Sequence, residues 1–233
     1  LSIGPIDHQH LIDLSLDGHI IESVDLQKQE QFQRGQRGDW TIGPFNLFGQ
    51  KRPQNTGPIS DLFYDGLLLV PGTIGTKEEK FFNTWVADNA ATYFRTRNGG
   101  VHRGGIMGEN EVEIPVVPDT ELNDTHLQEK NLLLYGTYAS NAVLAAWEGK
   151  LPLTFSNQAI HIGGKSYTGD RVAILAVFPH PDHPHRYVAI HGGVSPDAVT
   201  WGSHLDMQLL PDYIVYCGGE TLDWGFWSNE WDF

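Results

Sequence analysis

Residues 130–149 read KNLLLYGTYASNAVLAAWEG, and this stretch decides the predicted fold. The apolar run at 131–135 shows no polar alternation, which is typical of a strand buried on both faces. Gly136 ends the run, and Ser140 or Asn141 is placed to cap a following amphipathic helix. Strand, glycine turn and capped helix form the local unit of a parallel α/β sheet. We therefore predict an α/β fold, specifically a Rossmann-like three-layer domain with a mostly parallel sheet.

Other segments extend this prediction along the chain. Residues 67–70 and 172–178 are apolar runs that predict buried strands, and residues 77–97 carry apolar side chains at helical spacing. Residues 187–191 predict a neighbour for the strand at 172–178. The intervening loop is too short for a crossover helix, so these two strands are predicted to be antiparallel.

The first part of the chain differs from the rest. Residues 14–24 alternate between apolar and polar side chains, and Asp17-Gly18 predicts a hairpin turn. The apolar content of this part is too thin for an independent core. We predict a small β module or linker region at 1–57, followed by the α/β domain at 58–233.

Composition excludes several classes of partner. The 233 residues include 15 Lys+Arg and 29 Asp+Glu, a formal net charge of −14, which repels nucleic acid and anionic lipid surfaces. No apolar run approaches the roughly 20 residues that a membrane span needs, so no membrane insertion is predicted. Cys217 is the single cysteine and predicts no internal disulfide. Low Lys content and seven Trp favour an extracellular or periplasmic protein.

Two strand ends predict a ligand crevice. In open α/β sheets, ligands bind where strand ends face helix N-termini, and such ligands are often anions. No GxGxxG or Walker pattern is present, so simple packing turns are the alternative. The crevice candidates are Gly72, Thr73, Gly136, Thr137, Ser140 and Asn141.

One serine resembles a nucleophile at first sight. Ser195 lies in GVSPD between a predicted strand and a predicted helix, as does the nucleophile of a hydrolase elbow. The second glycine of the elbow is missing, however, and Pro196 removes the backbone N–H that would serve as an oxyanion donor. Ser195 is therefore predicted to be a helix cap, and no catalytic residue is assigned.

Histidines provide a candidate metal site. His180, His183 and His185 crowd one proline-rich loop, and His8 and His10 form an HxH pair. Imidazoles are common ligands of zinc and copper, so each set of histidines predicts a site for one of these two metals. The alternative is a hairpin that simply exposes its histidines, because neither set has a diagnostic spacing. No other cofactor is predicted.

The chain ends in an aromatic tail. Its rings are predicted to pack on the protein's own surface, with stacking on a sugar or on a partner as the alternative. The tail comprises Trp224, Phe226, Trp227, Trp231 and Phe233.

The order of motifs over residues 51–233 resembles the C-terminal accessory region that follows the hydrolase domain in some bacterial prolyl-oligopeptidase-like or esterase-like α/β-hydrolase proteins. The motifs that carry the resemblance are KRPQNTGPISDLF, VPGT, DTELNDTHLQEKNLLLYGTYASNAVL, LPLTF, VFPHPDHPHRYVAI, LPDYIVY and GFWSNEW. The resemblance implies a Rossmann-like accessory domain without its own catalytic triad. The chain departs from that pattern at His180, His183 and His185, where the family tends to have Asn or Leu, and in lacking a hydrolase domain.

Two functions follow from these observations. The first is a non-catalytic accessory or interaction domain, associated with a secreted hydrolase domain or subunit or assembling with itself, with an exposed apolar patch where the partner docks. The second is a small hydrolase or a ligand- or metal-binding protein that uses the predicted crevice. A concave pocket lined by converging polar side chains would favour the second.

Overall fold

A computed structural model of the chain describes residues 2–3, 11–25, 30–34, 40–42, 51, 55–98, 113–156, 158–204 and 211–231. The chain forms two compact units, Leu1–Leu47 and Phe48–Phe233, so the division lies ten residues before the predicted one. None of the helices in the described ranges has both the length and the apolar character that crossing a membrane demands.

The first unit consists of two small sheets. A hairpin pairs β2 with β3, and a second sheet has the strand order β1-β4-β5. Asp17 and Gly18 both have positive φ angles, 50° and 81°, as a type I′ hairpin turn requires. This confirms the predicted hairpin. The strands are β1 (Ser2–Ile3), β2 (Leu11–Leu16), β3 (His19–Asp25), β4 (Glu30–Arg34) and β5 (Trp40–Ile42).

The second unit contains a six-stranded sheet and a three-stranded meander. The large sheet has the order β14-β13-β11-β12-β7-β6, and the meander has the order β10-β9-β8. The strands are β6 (Leu67–Pro71), β7 (Asn131–Tyr135), β8 (Leu153–Ser156), β9 (Ala159–Ile162), β10 (Lys165–Thr168), β11 (Val172–Pro179), β12 (Tyr187–Gly193), β13 (Tyr213–Cys217) and β14 (Glu220–Gly225).

The helices of this unit are few within the described ranges. They are α1 (Lys77–Asn98), α2 (Asp124–Glu129) and α3 (Ala142–Ala146), with 3-10 turns at Ile59–Tyr64, Asp119–Glu121 and Ala198–His204. The long helix α1 was predicted and is confirmed, and it contacts β6 and β7. The helix predicted after Asn141 is only five residues long.

The predicted α/β, Rossmann-like fold with a mostly parallel sheet is wrong. Among the strand pairs of the large sheet that the structure describes, β6–β7 and β7–β12 are parallel, whereas β12–β11, β11–β13 and β13–β14 are antiparallel. The fold is mainly β, with a mixed sheet. The prediction failed because a strand covered on both faces is continuously apolar whichever way its neighbours run, so burial alone does not report strand direction.

The core lies on both faces of the central strands. Every residue of β7 is buried, as is every residue of β11 except Pro179. The antiparallel pairing of β11 with β12, predicted from the short loop between them, is confirmed. Cys217 is a free, half-buried thiol.

Candidate functional site

Three parallel strands end at the same edge of the large sheet. Pro71 at the end of β6 lies beside Tyr135 at the end of β7, and Tyr135 lies beside His191 of β12. The loops that follow these strands therefore emerge together. This is the place where open sheets containing parallel strands bind ligands.

Asn141, one of the predicted crevice residues, has a structural role. Its Nδ2 donates to the carbonyl oxygens of Val70 and Tyr135, each at 3.2 Å. Its Oδ1 accepts from the backbone N–H groups of Val143 and Leu144 at 3.0 and 3.2 Å. The buried amide thus joins the ends of β6 and β7 to the start of α3, and these bonds occupy the hydrogen-bonding capacity that a ligand would need.

The predicted anion position near Gly72 and Thr73 is filled by the protein's own carboxylate. Asp119 is buried, and its Oδ1 accepts from the backbone N–H of Thr73 at 3.0 Å and from the Thr73 hydroxyl at 2.5 Å. Its Oδ2 accepts from the backbone N–H of Ala142 at 2.6 Å. A Cβ on Gly72 would collide with Ser140 and Asn141, so Gly72 is a close-packed turn.

The remaining predicted crevice residues, Gly136, Thr137 and Ser140, line an open crevice. It has a volume of about 230 Å³ and lies beyond the ends of β7 and β12. It brings together residues from α1, from the loop after β7, from β8 and from the loop after β12. The lining residues are Glu79, Asn83, Gly136, Thr137, Ala139, Ser140, Phe155, Ser156, Gly193, Val194, Ser195, Pro196 and Val199.

Gly136 forms the floor of this crevice. Its φ is +117°, in a region that favours glycine, and a Cβ there would lie 2.6 Å from Ser140 Oγ and 2.9 Å from Asn83 Nδ2. Asn83 is buried, and its Nδ2 donates to the carbonyl oxygen of Gly72 at 3.1 Å. The floor is therefore closely packed, with no room for a side chain at residue 136.

Two hydroxyl groups lie above this floor. Ser140 Oγ accepts from the backbone N–H of Thr137 at 2.9 Å, and Thr137 Oγ1 accepts from the backbone N–H of Ala139 at 3.3 Å. The two oxygens are 3.5 Å apart, and only one of them is able to donate to the other. Among the contacts within the described residues, at least one of the two hydroxyl protons is thus without an acceptor, and Ser140 itself is buried.

Ser195 also lines the crevice, and its described hydrogen bonds join it to neither a histidine nor a lysine. Its Oγ donates to Asp197 Oδ1 at 2.7 Å, and its carbonyl oxygen accepts from the backbone N–H of Ala198, where a 3-10 turn begins. Its position at a turn start agrees with the prediction, although its side chain bonds to a carboxylate rather than to a backbone N–H.

The meander contributes polar residues that the sequence did not reveal. Ser156 Oγ lies 2.9 Å from Nε2 of His161, and Nδ1 of His161 lies 2.8 Å from Ser166 Oγ. The three residues come from β8, β9 and β10 in turn, and Ser156 lines the crevice. In the sequence, the alternation of side chains along these strands is the feature that could have indicated this cluster. His161 pairs with Thr154 of β8 on one side and with Ser166 of β10 on the other.

The histidine loop is arranged around a buried imidazole. His180 is fully buried, and its Nδ1 accepts from the backbone N–H groups of Asp182 and His183 at 3.2 and 3.1 Å. Its ring packs edge-on against Trp147, with centroids 4.7 Å apart. Burial, followed by the nearby His183, lowers the pKa of His180 to about 4, so the ring is neutral at pH 7.

The metal hypothesis for this loop gains no geometric support. The rings of His180 and His183 are 4.9 Å apart, and those of His183 and His185 are 6.2 Å apart. Nδ1 of His180 is already engaged. Within the ranges that the structure describes, no three His, Cys, Asp or Glu residues are grouped so as to hold a metal ion. His8 and His10 lie outside the described residues.

Comparison with known proteins leaves the family open. No protein-family model matches the chain, and no curated protein matches it. The resemblance to a hydrolase accessory region therefore stays a prediction. The function must be argued from the chain's own surfaces.

Proposed function

We propose that Phe48–Phe233 is an interaction domain that assembles with a second copy of the chain through β14. The proposal rests on the position of β14 in the sheet. It is the terminal strand of the six-stranded sheet, and no other strand in the described ranges pairs with its outer edge. A bare strand edge presents backbone N–H and C=O groups that readily pair with another strand.

The side chains of β14 favour such pairing. Leu222 and Trp224 are 47% and 59% exposed, and Leu222 lies at a register shift between β14 and β13. Phe226 follows, 62% exposed, with its ring centroid 6.4 Å from that of Trp224. Exposed apolar side chains gathered in one place are typical of a docking surface.

The other face of β14 is held by the meander. Asp223 accepts a hydrogen bond from the Tyr167 hydroxyl and another, at 2.9 Å, from Lys165 Nζ. A partner therefore meets β14 along its outer edge and through the exposed side chains of Leu222 and Trp224.

A second copy is the occupant that this geometry fits best. A two-fold axis perpendicular to the sheet would pair β14 with itself in antiparallel fashion and extend the sheet from six strands to twelve. The same axis would place the exposed Trp224 side chains of both copies on one face of the extended sheet, as an isologous interface requires. The net charge of −14 on each copy opposes this association, so the apolar contact must outweigh repulsion.

The native mass of the chain in solution tests the proposal. We expect a dimer, and we expect Trp224→Lys to raise the dissociation constant at least about tenfold, about 1.4 kcal/mol, because it places a cation in the apolar contact. Phe81→Lys is the matched control, because Phe81 is 60% exposed on α1, away from β14. A wild-type chain that is monomeric at about 100 μM would contradict the proposal, and would return attention to a hydrolase partner.

Ligand binding in the crevice is a second candidate function. A specific observation favours it, namely the concave space at the ends of β7 and β12 with hydroxyl, amide and carboxylate groups around it. The crevice and β14 share no residue, so the two candidate functions use different parts of the structure.

A further inference from the structure

We infer that the crevice at the ends of β7 and β12 binds a short-chain primary amine as its ammonium ion, with Glu79 as the anionic partner. This inference names the ligand class of the crevice, so it rests on the second candidate function and not on the pairing of β14.

The charge of the crevice lining favours a cation. Glu79 contributes a carboxylate, and none of the described residues that line the crevice is a lysine, an arginine or a histidine. The net charge of −14 on the whole chain acts in the same direction. An anionic ligand would therefore be repelled from the crevice, and a cationic one attracted to it.

The Glu79 carboxylate is held in place and keeps one oxygen for a ligand. Its Oε2 accepts from the backbone N–H of Thr76 at 2.7 Å, and Thr76 Oγ1 accepts from the backbone N–H of Glu79 at 3.2 Å. This reciprocal pair is a capping box at the start of α1. Among the contacts within the described residues, none engages Oε1 of Glu79. The half-buried side chain thus presents an oriented negative charge at the crevice.

Hydroxyl groups adjoin this carboxylate. Oε2 of Glu79 and Cβ of Ser140 both lie 2.7 Å from the position that a Cβ on Gly75 would take, so the two side chains are neighbours. Each hydroxyl oxygen can accept two hydrogen bonds, and the described contacts of Ser140 and Thr137 leave at least one such position open. Because an ammonium group has three N–H donors, it can bind the carboxylate and a hydroxyl oxygen together.

An apolar wall adjoins the floor of the crevice. A Cβ on Gly192 would collide with the carbonyl oxygen of Gly136 and with Cζ of Phe155, so the Phe155 ring lies against the floor. Phe155 and Val194 line the crevice and are only half-buried, which leaves apolar surface for a short aliphatic chain to cover. The volume of about 230 Å³ limits that chain to a few carbons.

Titration with pentylamine, pentanol and pentanoate tests this inference, because the three compounds have the same chain length and carry a positive, a neutral and a negative head group at pH 7. By isothermal titration calorimetry, we expect pentylamine to bind at least about tenfold more tightly than pentanol, and pentanoate not to bind. An affinity for pentanol that equals or exceeds that for pentylamine would overturn the inference but leave ligand binding in the crevice intact. No binding by any of the three would overturn both.

A matched pair of variants separates the local carboxylate from the net charge. We expect Glu79→Gln to raise the dissociation constant of pentylamine about tenfold, because the charge is lost, while the glutamine still completes the capping box. Glu78→Gln removes the same charge from the same turn of α1, but Glu78 is exposed and does not line the crevice. We expect this control to change the dissociation constant by less than about twofold. Equal losses in the two variants would overturn the role of Glu79.

Backbone amide chemical shifts locate the bound amine. On addition of pentylamine, we expect the largest shift changes at residues 136–140 and 193–195, which surround the crevice, and no change at residues 220–225 of β14. This pattern separates the site from the assembly edge. Largest changes in any other part of the chain would overturn the assignment.

The length of the amine tests the apolar wall. From ethylamine to pentylamine, we expect each added methylene to lower the dissociation constant about threefold, because it covers further surface of Phe155 and Val194. An affinity that does not change along this series would show that the wall holds no chain, and would overturn that part of the inference.

Discussion

The two edge strands of the six-stranded sheet, β6 and β14, differ in how their outer edges are covered. At one end, β6 is buried along its whole length, and residues 115–117 run beside it. Leu69 donates its backbone N–H to the carbonyl oxygen of Pro115 at 3.0 Å and accepts from the N–H of Val117 at 2.9 Å. At the other end, β14 has no such cover in the described residues, and its largest side chains face solvent.

This difference shows which edge of the sheet is covered against pairing with another chain and which edge is not. Proteins usually protect strand edges with a loop, a bulge or charged side chains, because bare edges pair with other chains. Residues 115–117 cover β6, whereas no described segment covers β14, which has a register shift beside the exposed Leu222 and Trp224. The contrast favours a function for β14 beyond completing the sheet, and each prediction below tests the contrast in a different way.

The largest expected effect comes from making the same substitution, leucine to alanine, in each of the two edge strands. Leu69→Ala should lower the free energy of unfolding by about 2–5 kcal/mol, because Leu69 is fully buried and its loss leaves a cavity. Leu222→Ala should change the free energy of unfolding of the monomer by less than about 0.5 kcal/mol, because its side chain is half exposed. Denaturant unfolding of dilute protein measures both. Similar losses in the two variants would break the comparison.

Raising the salt concentration should change the association through β14 alone. Each copy carries a net charge of −14, so association is opposed by repulsion that dissolved ions screen. We expect the dissociation constant of the dimer to fall several-fold when NaCl is raised from low to high concentration, as sedimentation equilibrium would measure. A dimer that weakens with salt would instead indicate that ion pairs hold the interface together.

The smallest expected effect concerns the covered face of β14. Burial raises the pKa of Asp223, but hydrogen bonds from Tyr167 and Lys165 outweigh burial and hold that pKa below its usual value of 3.8. The folded state therefore binds this proton less readily than the unfolded state. The stabilisation is present above pH 3.8 and is lost as the pH falls below that value.

Tyr167→Phe should accordingly lower the free energy of unfolding by about 0.5–1.5 kcal/mol at pH 7. The difference from the wild type should shrink as the pH falls below about 4, as the carboxyl becomes protonated. Thr168→Val on the same strand is the control, and we expect neither variant to change the dimer dissociation constant. A difference that grows in acid would contradict this account of Asp223.

The sequence predicted individual elements better than their arrangement. The continuous apolar run at 131–135 predicted a strand, the helical spacing from residue 77 predicted a helix, and both are confirmed. The mixed sheet was missed because strand direction depends on connections, such as that between β13 and β14, which leave little trace in a buried apolar run. Tertiary contacts decide such cases.

The candidate site divides in the same way. Gly136, Thr137 and Ser140 were predicted to lie at a crevice and do line one. Gly72, Thr73 and Asn141 instead pack against neighbours, because a buried carboxylate, Asp119, reaches the two loops from elsewhere in the chain. No local pattern encodes that contact, nor the one between Ser156 and His161, which depends on the register of two strands.

The aromatic tail shows the same limit. Packing on the protein's own surface was predicted for all its rings, and it holds for Trp227 and Trp231, which are buried. Trp224 and Phe226 are exposed instead. All four residues are aromatic, so residue type does not separate the buried pair from the exposed pair, and Phe233 lies outside the described residues.

Hydrogen exchange at β14 tests the central claim most directly. Peptides covering residues 220–225 and residues 67–71 would be followed by mass spectrometry at protein concentrations below and above the dissociation constant of the dimer. We predict that protection of residues 220–225 rises with concentration, because outward backbone N–H groups become paired, while residues 67–71 stay protected throughout. Exchange at residues 220–225 that is fast and independent of concentration would contradict the assignment of β14 as the assembly edge.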